Sequence, residues 1–178
     1  YVRSGLIRKY LDELGLREDV TNLQIGGGSI DAPLCLRRGE EIECIMEDRS
    51  SRLRFTPETG TLFGKPVNPN LIFSQDGDHA VFLTPSGIRR IAFPAGEQEL
   101  VISAAALGAL APGHEADVAA MQIFPVDEDL LFISFQWDGE DMIWGSHEFF
   151  VYAVPDGEAP RLVYDHQQAR CDSEMGPC

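Results

Sequence analysis

The stretch Asp76-Gly77-Asp78-His79 places two carboxylates and one imidazole next to one another, and these are groups that hold divalent cations in proteins. A calcium-binding loop of the helix-loop-helix type, however, needs a longer ladder of Asp and Asn residues that ends in glycine, and this stretch lacks it. Asp-Gly is also a strong signal for a tight turn between two antiparallel strands. The stretch therefore predicts a hairpin turn rather than a metal site.

The densest acidic segment of the chain follows later, between residues 127 and 141. Carboxylate oxygens suit calcium, and turns from neighbouring strands can bring them to one rim of a sheet. A weak calcium site is a hypothesis for this segment, with solvated turn residues as the alternative. Its candidate ligands are Asp127, Asp129, Asp138 and Asp141. The sequence indicates no other cofactor.

Catalytic motifs are absent from the sequence. His114, Glu115 and Asp117 begin like a zinc-protease helix, but His-Glu-x-x-His is not completed because position 118 is valine. The Gly-x-Ser-x-Gly turn of serine hydrolases does not occur. We therefore expect a non-enzymatic protein. The alternative is a divergent secreted hydrolase, or a fragment of one, that uses His114 and Asp117 together with the acidic segment.

Two segments carry apolar side chains that suit a protein partner. The acidic loop WDGEDMIW is flanked by tryptophans, which are favoured at the centres of interfaces. Residues 1–22 show helical spacing of apolar residues, which predicts an amphipathic helix. In each case the alternative is packing on the parent fold. The predicted contact residues are Trp137, Met142, Ile143 and Trp144 in the loop, and Leu6 and Tyr10 in the helix.

The four cysteines form two local pairs, Cys35 with Cys44 and Cys171 with Cys178. If Gly39 and Glu40 form a two-residue turn, Cys35 faces Cys44 at a non-hydrogen-bonded site, where Cα atoms lie about 4.5 Å apart. This register predicts a disulfide, and a second one is expected to close the tail, residues 166–178. A zinc site is disfavoured because no Cys-x-x-Cys occurs. Persistent disulfides indicate a periplasmic or extracellular protein, whereas reduced cysteines in the cytosol are the alternative.

Charge sets limits on the partners. The chain carries 29 acidic and 14 basic residues, a formal charge of −15, which repels phosphate backbones and anionic headgroups and attracts basic protein faces. The longest apolar stretch is interrupted by Gly108 and Pro112 and falls short of the roughly 18 residues of a membrane-spanning helix. We therefore expect protein partners, and neither nucleic acid binding nor membrane insertion.

Tandem repeats organise the rest of the chain. IAFPAGEQELVIS and VYAVPDGEAPRLVY share an apolar run, a Pro-x-Gly-Glu turn and a second run, and RLRFTPETGTLF is a looser third instance. Pro and Gly at such positions join strand pairs. Aligned on Gly39, Gly77 and Glu128, these stretches predict an all-β domain over residues 23–165. It contains three antiparallel sheet units, 36–66, 71–103 and 121–164, with an insertion at 104–120.

The second unit carries a family resemblance. SQDGDHAVFLTPSGIRRIAF resembles the Ser-Pro-Asp-Gly strand openings of TolB-like and dipeptidyl-peptidase-type β-propellers, and VYAVPDGEAPRLVY is similar to the hairpin that closes their blades. The resemblance covers about residues 36–165 and implies propeller-like blades. Gln75 stands where proline is usual, and three units are fewer than the roughly four blades of the smallest ring. The units then complete a ring with another polypeptide, belong to a fragment, or pack as a β-sandwich-like body.

These observations together predict the role of the chain. An incomplete repeat number, an amphipathic helix at one end and missing catalytic motifs favour a secreted or periplasmic protein-interaction module, an accessory subunit of a larger assembly. The alternatives are the divergent hydrolase and a calcium-stabilised structural protein.

Overall fold

The computed structural model describes residues 22–25, 33–46, 51–111, 113–127, 129–138 and 147–165. Within these ranges the chain is all-β, apart from one short α-helix, α1 (Ala104–Gly108), and one 3-10 turn (Val118–Ala120). Both lie in the predicted insertion. The predicted N-terminal helix lies outside the described residues, except that Asn22 begins the first strand. The Cys-containing tail also lies outside them.

Three four-stranded antiparallel sheets follow one another along the chain, and in each the strands pair in sequence order. The first sheet contains β1 (Asn22–Ile25), β2 (Leu34–Arg38), β3 (Glu41–Ile45) and β4 (Arg52–Phe55). A hairpin of β5 (Thr61–Leu62) and β6 (Lys65–Pro66) follows. The second sheet contains β7 (Ile72–Phe73), β8 (His79–Thr84), β9 (Gly87–Ala92) and β10 (Gln98–Ser103). The third contains β11 (Met121–Pro125), β12 (Leu130–Asp138), β13 (His147–Pro155) and β14 (Arg161–Asp165).

The first sheet spans residues 22–55 and not the predicted 36–66, so it contains β1 and lacks β5 and β6. The second and third sheets span residues 72–103 and 121–165, beside the predicted 71–103 and 121–164. The turn at Gly39 joins the second and third strands of its sheet, but the turn at Gly77 joins the first and second. The Pro-containing stretch after β4 accordingly leaves the first sheet and leads into the β5–β6 hairpin. Pro and Gly indicate where the chain turns, but they do not indicate which two strands of a sheet the turn connects.

The second sheet lies between the other two and buries side chains on both faces. Period-two alternation along β8 sends Ala80 and Phe82 toward the first sheet and Val81 toward the third. On the first side these residues pack with Ile91, Ile42 and the Cys35–Cys44 pair. On the other side they pack with Ile88, Ile102, Ile133 and Phe135. The first strands of the second and third sheets, β7 and β11, lie against each other.

Gly87 allows the backbones of β9 and β10 to approach each other closely where the insertion begins. It begins β9 with a φ of +133°, and a Cβ built on it lies 2.1 Å from the carbonyl oxygen of Ile102 on β10. Only glycine fits such an approach between two backbones. Directly after β10, the Ser103 side chain accepts a hydrogen bond from the Ala106 amide and starts α1. No helix in the described part of the chain is long and apolar enough to cross a membrane.

Candidate functional site

The hairpin of β2 and β3 carries the predicted disulfide. Gly39 takes a φ of +59° in the two-residue turn, and Arg38 faces Glu41 as predicted. Cys35 then faces Cys44, with their Cα atoms 4.0 Å apart and the two sulfur atoms bonded. The Cys35–Cys44 prediction is therefore confirmed. Cys171 and Cys178 lie outside the described residues.

The Asp76-Gly77 stretch forms the predicted turn, between β7 and β8. Gly77 has a φ of +84°, and the Asp76 carboxylate accepts hydrogen bonds from the Ser74 hydroxyl at 2.5 Å and the Asp78 amide at 3.1 Å. The Ser74 bond in particular, with that from Asp78, lowers the pKa of Asp76. This carboxylate holds the turn together, so the turn interpretation is confirmed.

His79 has a different position from its acidic neighbours. It is the first residue of β8 and only 4% exposed, and it lies on the face that packs against the third sheet. The Nε2 atom of its imidazole is buried without a hydrogen-bond partner among the described residues. Burial lowers the pKa of His79, and the positive charge of Arg90 adds to this against the opposing effect of Asp76. Sequence reasoning grouped His79 with the turn, although the alternation along β8 places it beside Val81.

A pocket opens at this point between the second and third sheets. Its volume of about 10 Å³ is close to what one water molecule needs. Apolar residues from both sheets form its walls, and charged groups stand among them. The lining residues include His79, Val81, Arg90, Asp127, Asp129 and Asp156.

The charges around this inter-sheet pocket are predominantly negative. Arg90 is mostly buried, and its guanidinium pairs with Glu99 and, at 3.1 Å, with Asp156. The Asp127 carboxylate accepts a hydrogen bond from the Asp129 amide at 2.9 Å, which shapes the turn before β12. With Glu99, the three aspartates outweigh the single arginine at neutral pH. The pocket therefore favours positively charged groups.

Two predicted calcium ligands, Asp127 and Asp129, thus come together at the pocket. Asp138 ends β12, and Asp141 lies outside the described residues. No three His, Cys, Asp or Glu side chains within the described ranges are placed to hold a metal ion. The calcium site stays a prediction.

Trp137 lies at the end of β12 and stacks with two other rings. Its centroid is 4.4 Å from that of His114 and 5.4 Å from that of Phe135, and the rings are nearly parallel. Trp137 is partly buried against the core between the second and third sheets. This arrangement suits the alternative that the ring covers the end of a sheet. The other predicted partner contacts, Met142, Ile143, Trp144, Leu6 and Tyr10, lie outside the described residues.

The insertion residues proposed for catalysis have structural contacts. His114 stacks on Trp137, and the Asp117 carboxylate accepts a hydrogen bond from the Ala119 amide at 2.9 Å, which begins the 3-10 turn. Neither side chain lines the inter-sheet pocket. The structure therefore does not bring them together with the predicted acidic ligands there.

A buried carboxylate on the first sheet went unnoticed in the sequence. Glu43 is 1% exposed, and one of its oxygens accepts hydrogen bonds from Arg52 at 3.1 Å and from Arg54 at 2.8 and 3.1 Å. Arg38 lies 3.7 Å from the other oxygen. Burial raises the pKa of Glu43, but the hydrogen bonds from Arg54 and Arg52 lower it by more than burial raises it. The net shift of the pKa is therefore downward. The alternation of Arg52, Leu53 and Arg54 was the available signal.

The two faces of the third sheet differ in their surroundings. Ile123, Ile133 and Tyr152 are paired across the strands and face the core, so the residues next to them along each strand lie on the opposite face. Phe124 on this other side is 49% exposed, and Tyr164 on β14 is 40% exposed. We call this side the outward face. Its exposed or partly exposed apolar residues are Phe124, Phe132, Val151 and Tyr164, whereas Ser134 and Ala153 at its centre are 2% and 3% exposed.

No protein family, curated protein or solved structure matches the chain. The resemblance to TolB-like and dipeptidyl-peptidase-type propellers is thus an expectation from the sequence alone. The candidate sites are defined by geometry and charge. They are the inter-sheet pocket, the arginine cluster on Glu43 and the outward face of the third sheet.

Proposed function

We propose that this chain is a non-enzymatic protein-interaction module, an accessory subunit whose three sheets form part of a propeller-like array. The observation that carries the proposal is the outward face of the third sheet. It presents Phe124 and Tyr164 to solvent at the end of a series of stacked sheets. A sheet in such a position is stable with a partner on its apolar side.

The packing order supports a partner that contributes another sheet. The second sheet is covered on one face by the first sheet and on the other by the third, and each is a four-stranded antiparallel meander. Propeller blades are four-stranded sheets stacked around a central channel, and the contact between β7 and β11 is what neighbouring innermost strands would make. A further antiparallel sheet from another polypeptide, packed on Phe124 and Phe132, would continue the series.

The opposite end of the series is already covered. On the far side of the first sheet, Leu36, Glu43 and Ile45 are at most 2% exposed. The third sheet therefore provides the available face. Exposed aromatic side chains grouped on one sheet face are a feature of interaction sites more than of monomer surfaces.

The disulfide supports an exported protein. The Cys35–Cys44 bridge is buried in the core between the first and second sheets, and such bridges persist in oxidising compartments. We propose a periplasmic or extracellular location. The acidic charge of −15 would draw a basic partner face toward the module.

The native molar mass tests the proposal. Light scattering on material extracted gently from its source should show a particle heavier than the 19.7 kDa chain, and the co-purified polypeptides should supply β-structure. A monodisperse 19.7 kDa species from both the source and the isolated chain would contradict an accessory subunit.

A pair of variants tests the face itself. Phe124→Ser on the outward face should shift the heavy particle toward the free chain, because it places a hydroxyl in an apolar contact. Leu100→Ser is the matched control, since Leu100 is 45% exposed on β10 in the second sheet. Equal assembly by both variants would place the contact elsewhere.

A further inference from the structure

The inter-sheet pocket contains a buried acceptor with no donor. His79 is 96% removed from solvent, and its Nε2 atom has no hydrogen-bond partner within the described part of the chain. Buried polar atoms are nearly always paired, so an unpaired one that lines a cavity points to a missing ligand.

The neighbours of this atom determine what that ligand must offer. Among the described residues, the polar side chains that line the pocket with His79 are three carboxylates, which accept hydrogen bonds, and Arg90, which is already paired. In a neutral imidazole that carries its proton on Nδ1, Nε2 is also an acceptor. A group that lies between Nε2 and the carboxylates must therefore donate hydrogen bonds.

The surrounding charges require the donor to be cationic. Asp127, Asp129 and Asp156 line the pocket, and Arg90, the one arginine or lysine that lines it among the described residues, is already paired with Glu99 and Asp156. An acidic cluster alone would not define a site. Here a buried nitrogen acceptor lies within the same walls, so one ligand can satisfy both features.

We propose that the inter-sheet pocket binds a protonated primary amine, presented as a lysine side chain by a basic partner protein. The cavity of about 10 Å³ admits an ammonium head, which is similar in size to water, whereas a planar guanidinium is larger. One N–H donates to His79 Nε2 and the others reach the aspartate carboxylates. The net charge of −15 steers such a partner toward the chain.

This site is separate from the outward face of the third sheet. A small amine can occupy the pocket whether or not another sheet packs on Phe124. Failure of the amine to bind would not contradict the proposed assembly. Failure of the chain to assemble would likewise not contradict binding of the amine.

Nuclear magnetic resonance of the histidine side chains tests the proposal on the full chain. Titration with Nα-acetyl-lysine amide should shift the His79 Nε2 resonance in a saturable way at neutral pH. Two control probes should leave it in place. The Nε-acetylated compound has lost the charge, and tetramethylammonium carries charge without an N–H donor.

Variants separate the pocket from general acidity. Asp129→Asn removes an exposed carboxylate at the pocket and should weaken binding by roughly twofold to fivefold, the range of one exposed ion pair. Glu115→Gln, an equal charge loss at an exposed position away from the pocket, should leave binding unchanged. His79→Phe should abolish binding, and Asp129→Asn keeps the test decisive if the His79 variant fails to fold.

Several results would overturn the proposal. Equal shifts with tetramethylammonium would indicate nonspecific attraction, and no shift with any probe would mean that the pocket holds water only. A saturable shift with Ca²⁺ and none with the amine would instead support the predicted calcium site. Equal binding by the Asp129 and Glu115 variants would place the amine elsewhere.

Discussion

Removal of the Cys35–Cys44 bridge should destabilise the chain by an amount set by its loop. The two residues are nine positions apart, and closing a loop of about ten residues stabilises the folded state by about 3 kcal/mol in the chain-entropy model. Both residues are buried, so Cys35→Ala with Cys44→Ala also deletes two packed sulfur atoms, which adds on the order of 1 kcal/mol. The double variant should therefore lose about 4 kcal/mol.

Urea unfolding, followed by circular dichroism, measures the loss. A Cys171→Ala and Cys178→Ala background isolates the bridge, because its reduction then breaks only Cys35–Cys44 and keeps both sulfur atoms. Reduction of this background should lower the free energy of unfolding by about 3 kcal/mol and raise the dependence on urea, since the unfolded chain expands. Free energies of unfolding within about 0.5 kcal/mol before and after reduction would refute the loop argument.

Three further predictions concern the core and the pH dependence of stability. Phe135→Ala, at a fully buried position between the second and third sheets, should lower the free energy of unfolding in urea by about 3 to 5 kcal/mol, and a loss below about 1 kcal/mol would contradict that packing. The folded-state pKa of Glu43 is below its ordinary 4.5, so the ionised carboxylate stabilises the fold fully above pH 4.5. This stabilisation is lost as the pH falls through the folded-state pKa. The free energy of unfolding of Glu43→Gln, followed in an acid titration, should lack this loss. Burial lowers the pKa of His79 below 6.5, so the unfolded state binds more protons and stability falls as the pH drops below 6.5. A thermal melt series should show a smaller decline for His79→Gln, and an unchanged decline would mean that other groups cause it.

Local features of this fold could be predicted because the two residues that interact belong to the same hairpin. The Cys35–Cys44 register depends only on a two-residue hairpin, and the Asp76-Gly77 turn depends on side chains two residues apart. In both cases geometry follows from sequence distance. The all-β class followed from the same turn signals, repeated along the chain.

Non-local pairing explains what sequence reasoning missed. The first sheet begins at Asn22, because β1 pairs with β2 across residues 26–33, whose glycines mark a loop but do not indicate which strands it joins. His79 meets Asp127 only because two sheets pack together, and nothing near His79 in the sequence announces that contact. The displaced first unit and the unrecognised pocket therefore have the same cause.

The arginine cluster on Glu43 limits how the first sheet can form. Glu43 on β3 pairs with Arg54 on β4, and side chains along a strand alternate between faces. A slip of β4 by one residue would set Leu53 or Phe55 against the buried carboxylate and send the arginines into the apolar core. Both errors leave a charge without a partner, which is far more costly than the loss of one contact. The cluster therefore makes one alignment of β3 with β4 much more stable than the alignments displaced by one residue.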